Sequence, residues 1–493
     1  MNKTASTSPE LQIAGALELS PSPERIEVSI AERYGHFIGG KLHPGVDESL
    51  FPTVNPATGE TLSHIAAATD DEVDKAVRSA RAAFDKVWSK TSGAERGKYL
   101  FRIARRLQEK GRAIAALETR DNGKPIRETR DVDIPLAAAH FFYYAGWADK
   151  LDYAVPGRKV RPLGVAAQVI PWNFPLLMAA WKIAPALATG NTVVLKPAET
   201  TPLSVMALVE ILQEVGLPPG VVNIVNGAGA TGAALVNHPG VDKVAFTGST
   251  GVGRLIMRQI AGTKKKATME LGGKGANIVF ADAALDQAVE GTINGIFFNQ
   301  GHVCCAGSRL LLEESIADDF LERLKRRIAS LRIGDPLDKN TDVGAINSAE
   351  QFATVNRYID IARDEGAEVW QGAACPTPDK GLFVPPTLLL GVQQSDTCVR
   401  EEIFGPVLSV LTFRTPDEAV KKANDSEYGL AAGVWSEKTS KLFEVAHQLN
   451  AGVIWANGYN LFDPASPFGG VRHSGFGREG GVAGLWPYLE VVS

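Results

Sequence analysis

The chain has 493 residues, 45% of them hydrophobic and 22% charged, with a net charge of −5 at pH 7. That is the make-up of an ordinary globular protein with room for two or three domains. The mildly acidic balance gives no argument for nucleic acid or an anionic membrane as partner, and the run Lys264-Lys265-Lys266 reads as a solvated strand start.

The first ~30 residues are polar and rich in Ser and Pro, without the charged-then-apolar order of a secretion signal. A loose extension over 1–29 is expected. No apolar run approaches the ~20 residues of a membrane span. Four cysteines in so long a chain make no disulfide framework, so a reducing, cytoplasmic setting is expected.

Residues 51–69, FPTVNPATGETLSHIAAAT, read as short strands with Pro and Gly turns. Thr69 and Glu72 have capping-box spacing. Val73, Ala76, Val77, Ala80, Phe84, Val87 and Trp88 then recur at helical spacing. Helical stretches follow over 94–120 and, with the aromatic HFFYYAGW, over 134–151. From 163 the runs GVAAQVIPW, NTVVLKP, GVVNIVNG and VDKVAFTG alternate with helix-like stretches such as 203–215 and Gly229–Asn237. After Gly273 the alternation resumes with ANIVF, SRLLLEE, PPTLLL, VLSVLTF, AAGVWS and AGVIWAN. Such alternation predicts parallel sheets covered on both faces. The fold expected is α/β, with two open-sheet domains meeting near residue 273.

Two βα turns compete for a nucleotide. Residues 227–232 spell G-x-G-x-x-G between a strand and a helix, but no acidic residue ends a strand ~20 residues later. FTGSTGVGR, over 246–254, also follows a strand and opens a helix. Its Ser249 and free amides can hold a pyrophosphate. Both also read as turns that need glycine for geometry. In KPAET, Lys196 can donate to ribose hydroxyls, while Glu199 can accept from them and would repel a 2′-phosphate. An ordinary surface pair reads equally well.

NQGHVCCAGSR, over 299–309, holds two of the four cysteines. H-x-C-C does not have the spacing of zinc ligands, so no metal is expected. Adjacent cysteines pair with each other only under strain. Small buried thiols remain a fair default and suit Cys375 and Cys398. A nucleophile needs partners. MELGGKG offers Glu270 in an apolar setting that raises a carboxyl pKa, as a general base requires. PWNFP offers Asn173, whose fixed amide can donate to an oxyanion. Composition and spacing leave open whether the three converge.

Taken together, these segments resemble the NAD(P)-dependent aldehyde dehydrogenase family from about Phe37 to the end of the chain. MELGGKG and NQGHVCCAGSR match its glutamate and cysteine motifs, with Cys304 following Glu270 by 34 residues. PWNFPLLMAAWKIAPALATGNTVVLKPAE, FTGSTGVG, EEIFGPV and SPFGGVRHSGFGRE complete the set. The resemblance implies two Rossmann-like domains. NAD binding falls to 30–143 and 163–273, and catalysis to 274–480. An oligomerisation element falls to 144–162 and 481–493.

The resemblance makes Cys304 the nucleophile and Cys305 its variable neighbour. Glu270 activates water, and Asn173 with the amide of Cys304 forms the oxyanion hole. Cofactor contacts fall on Ile170, Trp172, Lys196, Glu199, Gly229 and Gly248. Further contacts fall on Ser249, Gly253, Leu271, Glu402 and Phe404, with Glu402 on the nicotinamide ribose. The pyrophosphate contact at Ser249 makes the motif at Gly227 a decoy. A substrate pocket is implied at Phe174, Met178, Trp181, Phe298, Val303, Phe462 and Phe468. It is apolar and without a fixed cation, which suits a hydrophobic aliphatic or aromatic aldehyde. NAD is expected over NADP because of Glu199.

The chain departs from the family in three places. His302 replaces the usual Gln or Glu and can titrate near neutral pH, so a shifted pH dependence is expected. Gly275 takes a place usually given to a small or polar side chain. The hairpin retaining VPGRKVRPLG and the terminal YLEVVS are both short, which favours a homodimer over a tetramer. The competing readings are a coenzyme A-acylating enzyme, against which Glu270 argues, and a silent structural relative.

Overall fold

The structure, a computed structural model, describes residues 21–46 and 49–492. Thr69 caps the first long helix, Asp70–Lys86, and both reciprocal bonds of the capping box with Glu72 are made. The helix stops before Trp88, which is fully buried in a short 3-10 turn, while Val87 faces solvent. The apolar spacing therefore overran the helix end. The next helix, Gly93–Asn122, ends on left-handed Gly123, a common C-terminal stop.

β-branched runs buried on both faces form two open sheets. The first has the order Gly475–Phe476, Lys266–Glu270, Lys243–Thr247, Val165–Val169, Thr192–Lys196, Val222–Ile224, His36–Ile38, Lys41–His43. Its five central strands are parallel and the remaining pairings antiparallel. The chain works outward from Val165–Val169 in one direction, then returns to that strand's other side with Lys243–Thr247. The order thus reverses between these two neighbours, which makes a crevice beyond their carboxyl ends.

The second sheet runs Glu368–Gln371, Thr387–Leu390, Val407–Phe413, Arg309–Glu313, Ala276–Val279, Ala431–Trp435, Val453–Ala456. All its pairings are parallel except the first. The change of sheet falls between Glu270 and Ala276. Gly475–Phe476 then carries the chain back to the first sheet beside Glu270. Sequence periodicity had no grip on strands of two to four residues such as Arg33–Tyr34, His36–Ile38 and Glu368–Gln371.

Lys159–Pro162 and Leu489–Val492 pair with each other in a two-stranded antiparallel ribbon. Residues 1–20 of the expected loose extension lie outside the described residues. Its remaining part is tied down. Glu24 is buried and ion-paired with Arg112 at 2.6 Å, which holds its carboxyl down to about 2.

Candidate active site

The crevice of the first sheet collects three turns. Strand Val165–Val169 leads into residues 170–174 and then helix Pro175–Ala188, buried on every side with Pro at its start. Strand Lys243–Thr247 leads through Gly248 to Ser249, whose hydroxyl accepts from the Val252 amide and caps helix Thr250–Ile260. Strand Lys266–Glu270 ends on Glu270, in register with Thr247.

The cysteine arrives from an unusual turn. Asn299, Gln300 and Gly301 have φ of 49°, 51° and 75°, three successive left-handed residues. For a residue with a Cβ that conformation costs ~1–2 kcal/mol, and Asn tolerates it best after Gly. Contacts hold it: Glu128 accepts the Asn299 N–H at 2.9 Å, and Gln300 donates to the Ala345 carbonyl at 3.0 Å. A Cβ on Gly301 would stand 2.0 Å from the Gly405 carbonyl oxygen, so this turn presses on the loop that carries Glu402 and Phe404. Cys304 then lies half-buried at the crevice and Cys305 fully buried behind it.

Cys304, Glu270 and Asn173 line one cavity of about 290 Å³. Phe174, Met178, Trp181, Phe298, Val303, Phe462 and Phe468 line the same cavity. So do Trp172, Gly248, Ser249, Leu271, Glu402 and Phe404. Ile170, Lys196, Glu199, Gly229 and Gly253 do not. Lys196 is buried, its ammonium donating to the carbonyls of Pro197 and Gly227 at 2.7 and 2.6 Å, and Glu199 is exposed beside it. A Cβ on Gly253 would collide with Leu271, so that glycine lets the helix approach the strand end. Gly229 is exposed, and a Cβ on it would meet nothing within 4 Å. The carbonyl of Gly227 accepts the Lys196 ammonium, so its turn serves the lysine.

Burial raises the Glu270 carboxyl well above the usual range, and neither of its oxygens has a hydrogen-bond partner among the described residues. Burial also raises Glu402 to about 7, against the Gly273 amide that donates to it at 2.8 Å. His302 departs from the sequence expectation. It is fully buried, and loss of hydration pushes its pKa down to about 3, so the ring stays neutral throughout the neutral range. It stacks on Phe404 and meets the Trp172 edge at a centroid distance of 4.8 Å.

Sequence reasoning missed two buried ion pairs and a glutamine. Glu479 lines the cavity and is ion-paired with fully buried Lys182. Lys182 had a visible signal, as the lone charge in an otherwise apolar helix. Asp133 lines the cavity and is paired with buried Lys124. It is presented by a π-helical turn, Thr129–Asp133, that no spacing rule reveals. Gln351 also lines the cavity and donates to the carbonyls of Ile403 and Phe404, fixing Phe404 at φ 56°.

Among the described residues, no helix is long and apolar enough to cross a membrane. The Aldehyde dehydrogenase family profile matches residues 44–493. Mitochondrial aldehyde dehydrogenase of Homo sapiens is 44% identical over 490 residues, which cover 97% of this chain and 94% of that protein. A solved NAD+ complex of aldehyde dehydrogenase from Bacillus cereus is 41% identical, with a TM-score of 0.90 over 94% of this chain and 96% of that one. Indole-3-acetaldehyde dehydrogenase AldA of P. syringae, solved with NAD+ and IAA, is 40% identical with a TM-score of 0.90, covering 95% and 96%. The motifs, the two open sheets and these relatives agree: the chain belongs to the aldehyde dehydrogenase family.

Proposed function

We propose that the protein oxidises an apolar aliphatic or aromatic aldehyde to its carboxylic acid with NAD. The observation that carries this is the meeting of Cys304, Glu270 and Asn173 in one cavity at the reversal point of the first sheet.

The crevice suits a dinucleotide. At the start of helix Thr250–Ile260, a Cβ on Gly251 would meet nothing within 4 Å, which leaves room for a pyrophosphate over the helix amides. Glu402, on the cavity wall, would accept from a ribose, and Trp172 and Phe404 offer flat apolar faces. Glu199, beside Lys196, favours NAD by repelling a 2′-phosphate. NAD, when bound, supplies the acceptor for the two electrons leaving the aldehyde.

The protein's residues do the rest. The deprotonated Cys304 sulfur adds to the aldehyde carbon to give a thiohemiacetal. The oxygen gains charge as the C–S bond forms, and the Asn173 amide and the Cys304 backbone N–H stabilise it. After oxidation a thioester remains on Cys304. Glu270 takes a proton from water, the hydroxide attacks the thioester, and the carboxylate leaves as the thiol is restored. A carboxyl whose pKa is raised by burial binds that proton more readily.

The wall formed by Phe174, Met178, Trp181, Phe298, Phe462 and Phe468 favours apolar substrates. Among the described residues no Lys or Arg lines the cavity, whose ionisable lining groups include the acids Asp133, Glu270, Glu402 and Glu479, so an aldehyde carrying a carboxylate finds no cation there. We read 30–143 with 163–273 as the NAD-binding domain and 274–480 as the catalytic domain. The ribbon of Lys159–Pro162 and Leu489–Val492, within 144–162 and 481–493, is read as a dimer-forming element of a cytoplasmic homodimer.

The test is NADH formation across a panel of aldehydes, with Cys304→Ala as control. Turnover of apolar aldehydes that is lost in Cys304→Ala is expected. A folded wild-type protein inactive on every aldehyde would sink the proposal in favour of a silent relative.

A further inference from the structure

Asn173 is not held by its own segment alone. Its Nδ2 donates to the carbonyl oxygen of His302 at 2.8 Å, which uses one N–H and leaves the second available. Its backbone carbonyl accepts from Nδ2 of Asn299, also at 2.8 Å. The same nitrogen lies 3.3 Å from the His302 carbonyl. Both ends of Asn173 are thus tied to the one turn that precedes Cys304.

Asn299 is fully buried and does not line the cavity. Its backbone is fixed from the other side, where Glu128 accepts its N–H. Glu128 is itself buried, and the loss of hydration raises its carboxyl to about 8. Asn173 and Cys304 come from different sheets' connections, 131 positions apart in the chain. The Asn299 side chain is a direct strut between the two segments.

We infer that Asn299 is a positioning residue for the oxyanion amide: its side chain sets the distance between Asn173 and the Cys304 turn so that the second N–H of Asn173 points to where the aldehyde oxygen gains charge. This rests on the proposed role of Asn173. The bland alternative is that Asn299 only makes the left-handed turn affordable, since Asn adopts that conformation more readily than other residues with a Cβ. Glycine separates the two roles, because it accepts the same φ and has no amide.

The experiment uses the full chain with Asn299→Gly, Asn173→Ala and the double variant. First-turnover NADH formation, kcat, and both KM values are measured. Asn299→Gly is expected to lower the first-turnover rate and kcat by about 10- to 100-fold with KM for NAD unchanged, the effect of a small misplacement of a reacting group. In the Asn173→Ala background the same change should add little, because it acts through the missing amide. A wild-type rate in Asn299→Gly overturns the inference, as does an equal loss in both backgrounds. A wild-type rate in Asn173→Ala overturns the role of Asn173 itself, and the inference with it. If Asn299→Gly does not fold, Asn299→Ser serves, since its hydroxyl is too short to reach the Asn173 carbonyl.

Discussion

Glu479 and Lys182 form an ion pair inside the wall of the cavity that holds Glu270. Burial is the main reason the Glu270 carboxyl is raised; Glu479 adds to it and Lys182 opposes it. Glu479→Gln removes one negative charge and leaves Lys182 uncompensated. The Glu270 pKa should then fall, and the rising limb of thioester hydrolysis against pH should move to lower pH. Breaking a buried pair by removing one partner also costs ~3–5 kcal/mol of stability. A pH profile of hydrolysis and a urea melt check both; a limb that moves to higher pH would contradict the electrostatic account.

His302 gives a prediction opposite to the one its sequence position suggests. Its pKa of about 3 lies below that of a free imidazole at ~6.5, because the buried ring cannot afford a charge. His302→Gln should therefore leave the pH profile of turnover unchanged between pH 5 and pH 9, as ordinary assays span. Stability should respond instead. The unfolded chain takes up a proton at His302 below ~6.5 and the folded protein does not until about 3. The neutral ring's contribution is whole above the unfolded value and is lost as pH falls towards the folded one. Denaturant melts from pH 7 to pH 4 should show a shallower loss in His302→Gln than in wild type, with buried His140, also held to about 3, supplying part of what remains.

The main sheet strands and long helices were legible because their apolar periods are long. Strands such as Thr192–Lys196 and the helix Gly229–Asn237 coincide with their sequence runs. The trio Cys304, Glu270 and Asn173 was nameable singly from side-chain chemistry, but its convergence depends on loops from two sheets, which no local pattern encodes. The same limit hid Asn299. Its importance lies in a left-handed turn and in bonds to residues 126 and 171 positions away. His302 was misread for a related reason: side-chain type gives an intrinsic pKa, whereas its burial between Trp172 and Phe404 is a tertiary fact.

Glu199 stands exposed at the carboxyl end of strand Thr192–Lys196, 3.5 Å from the Lys196 ammonium. Its charge should oppose a 2′-phosphate on the ribose. Glu199→Ser should raise kcat/KM for NADP relative to NAD by about tenfold, equivalent to ~1.4 kcal/mol. Steady-state kinetics with both cofactors measures the ratio. An unchanged ratio would remove Glu199 from cofactor discrimination.

Gly301 is the tightest point of the turn before Cys304. Its φ of 75° is left-handed, and a Cβ would stand 2.0 Å from the Gly405 carbonyl oxygen and 2.8 Å from the Pro406 nitrogen. Both neighbours are backbone, so relief requires one segment to shift. Those segments are the one that carries Cys304 and the one that carries Glu402 and Phe404. Gly301→Ala should thus destabilise the fold by ~1–3 kcal/mol, the scale of strain at a special backbone conformation plus overpacking. It should also lower turnover at a working temperature well below the melt, because the shift would move Cys304 away from Glu402 and Phe404 in the shared cavity. Thermal melts beside kcat at low temperature distinguish the two effects. A variant that melts early yet turns over at the wild-type rate when folded would show that this contact supports the fold alone.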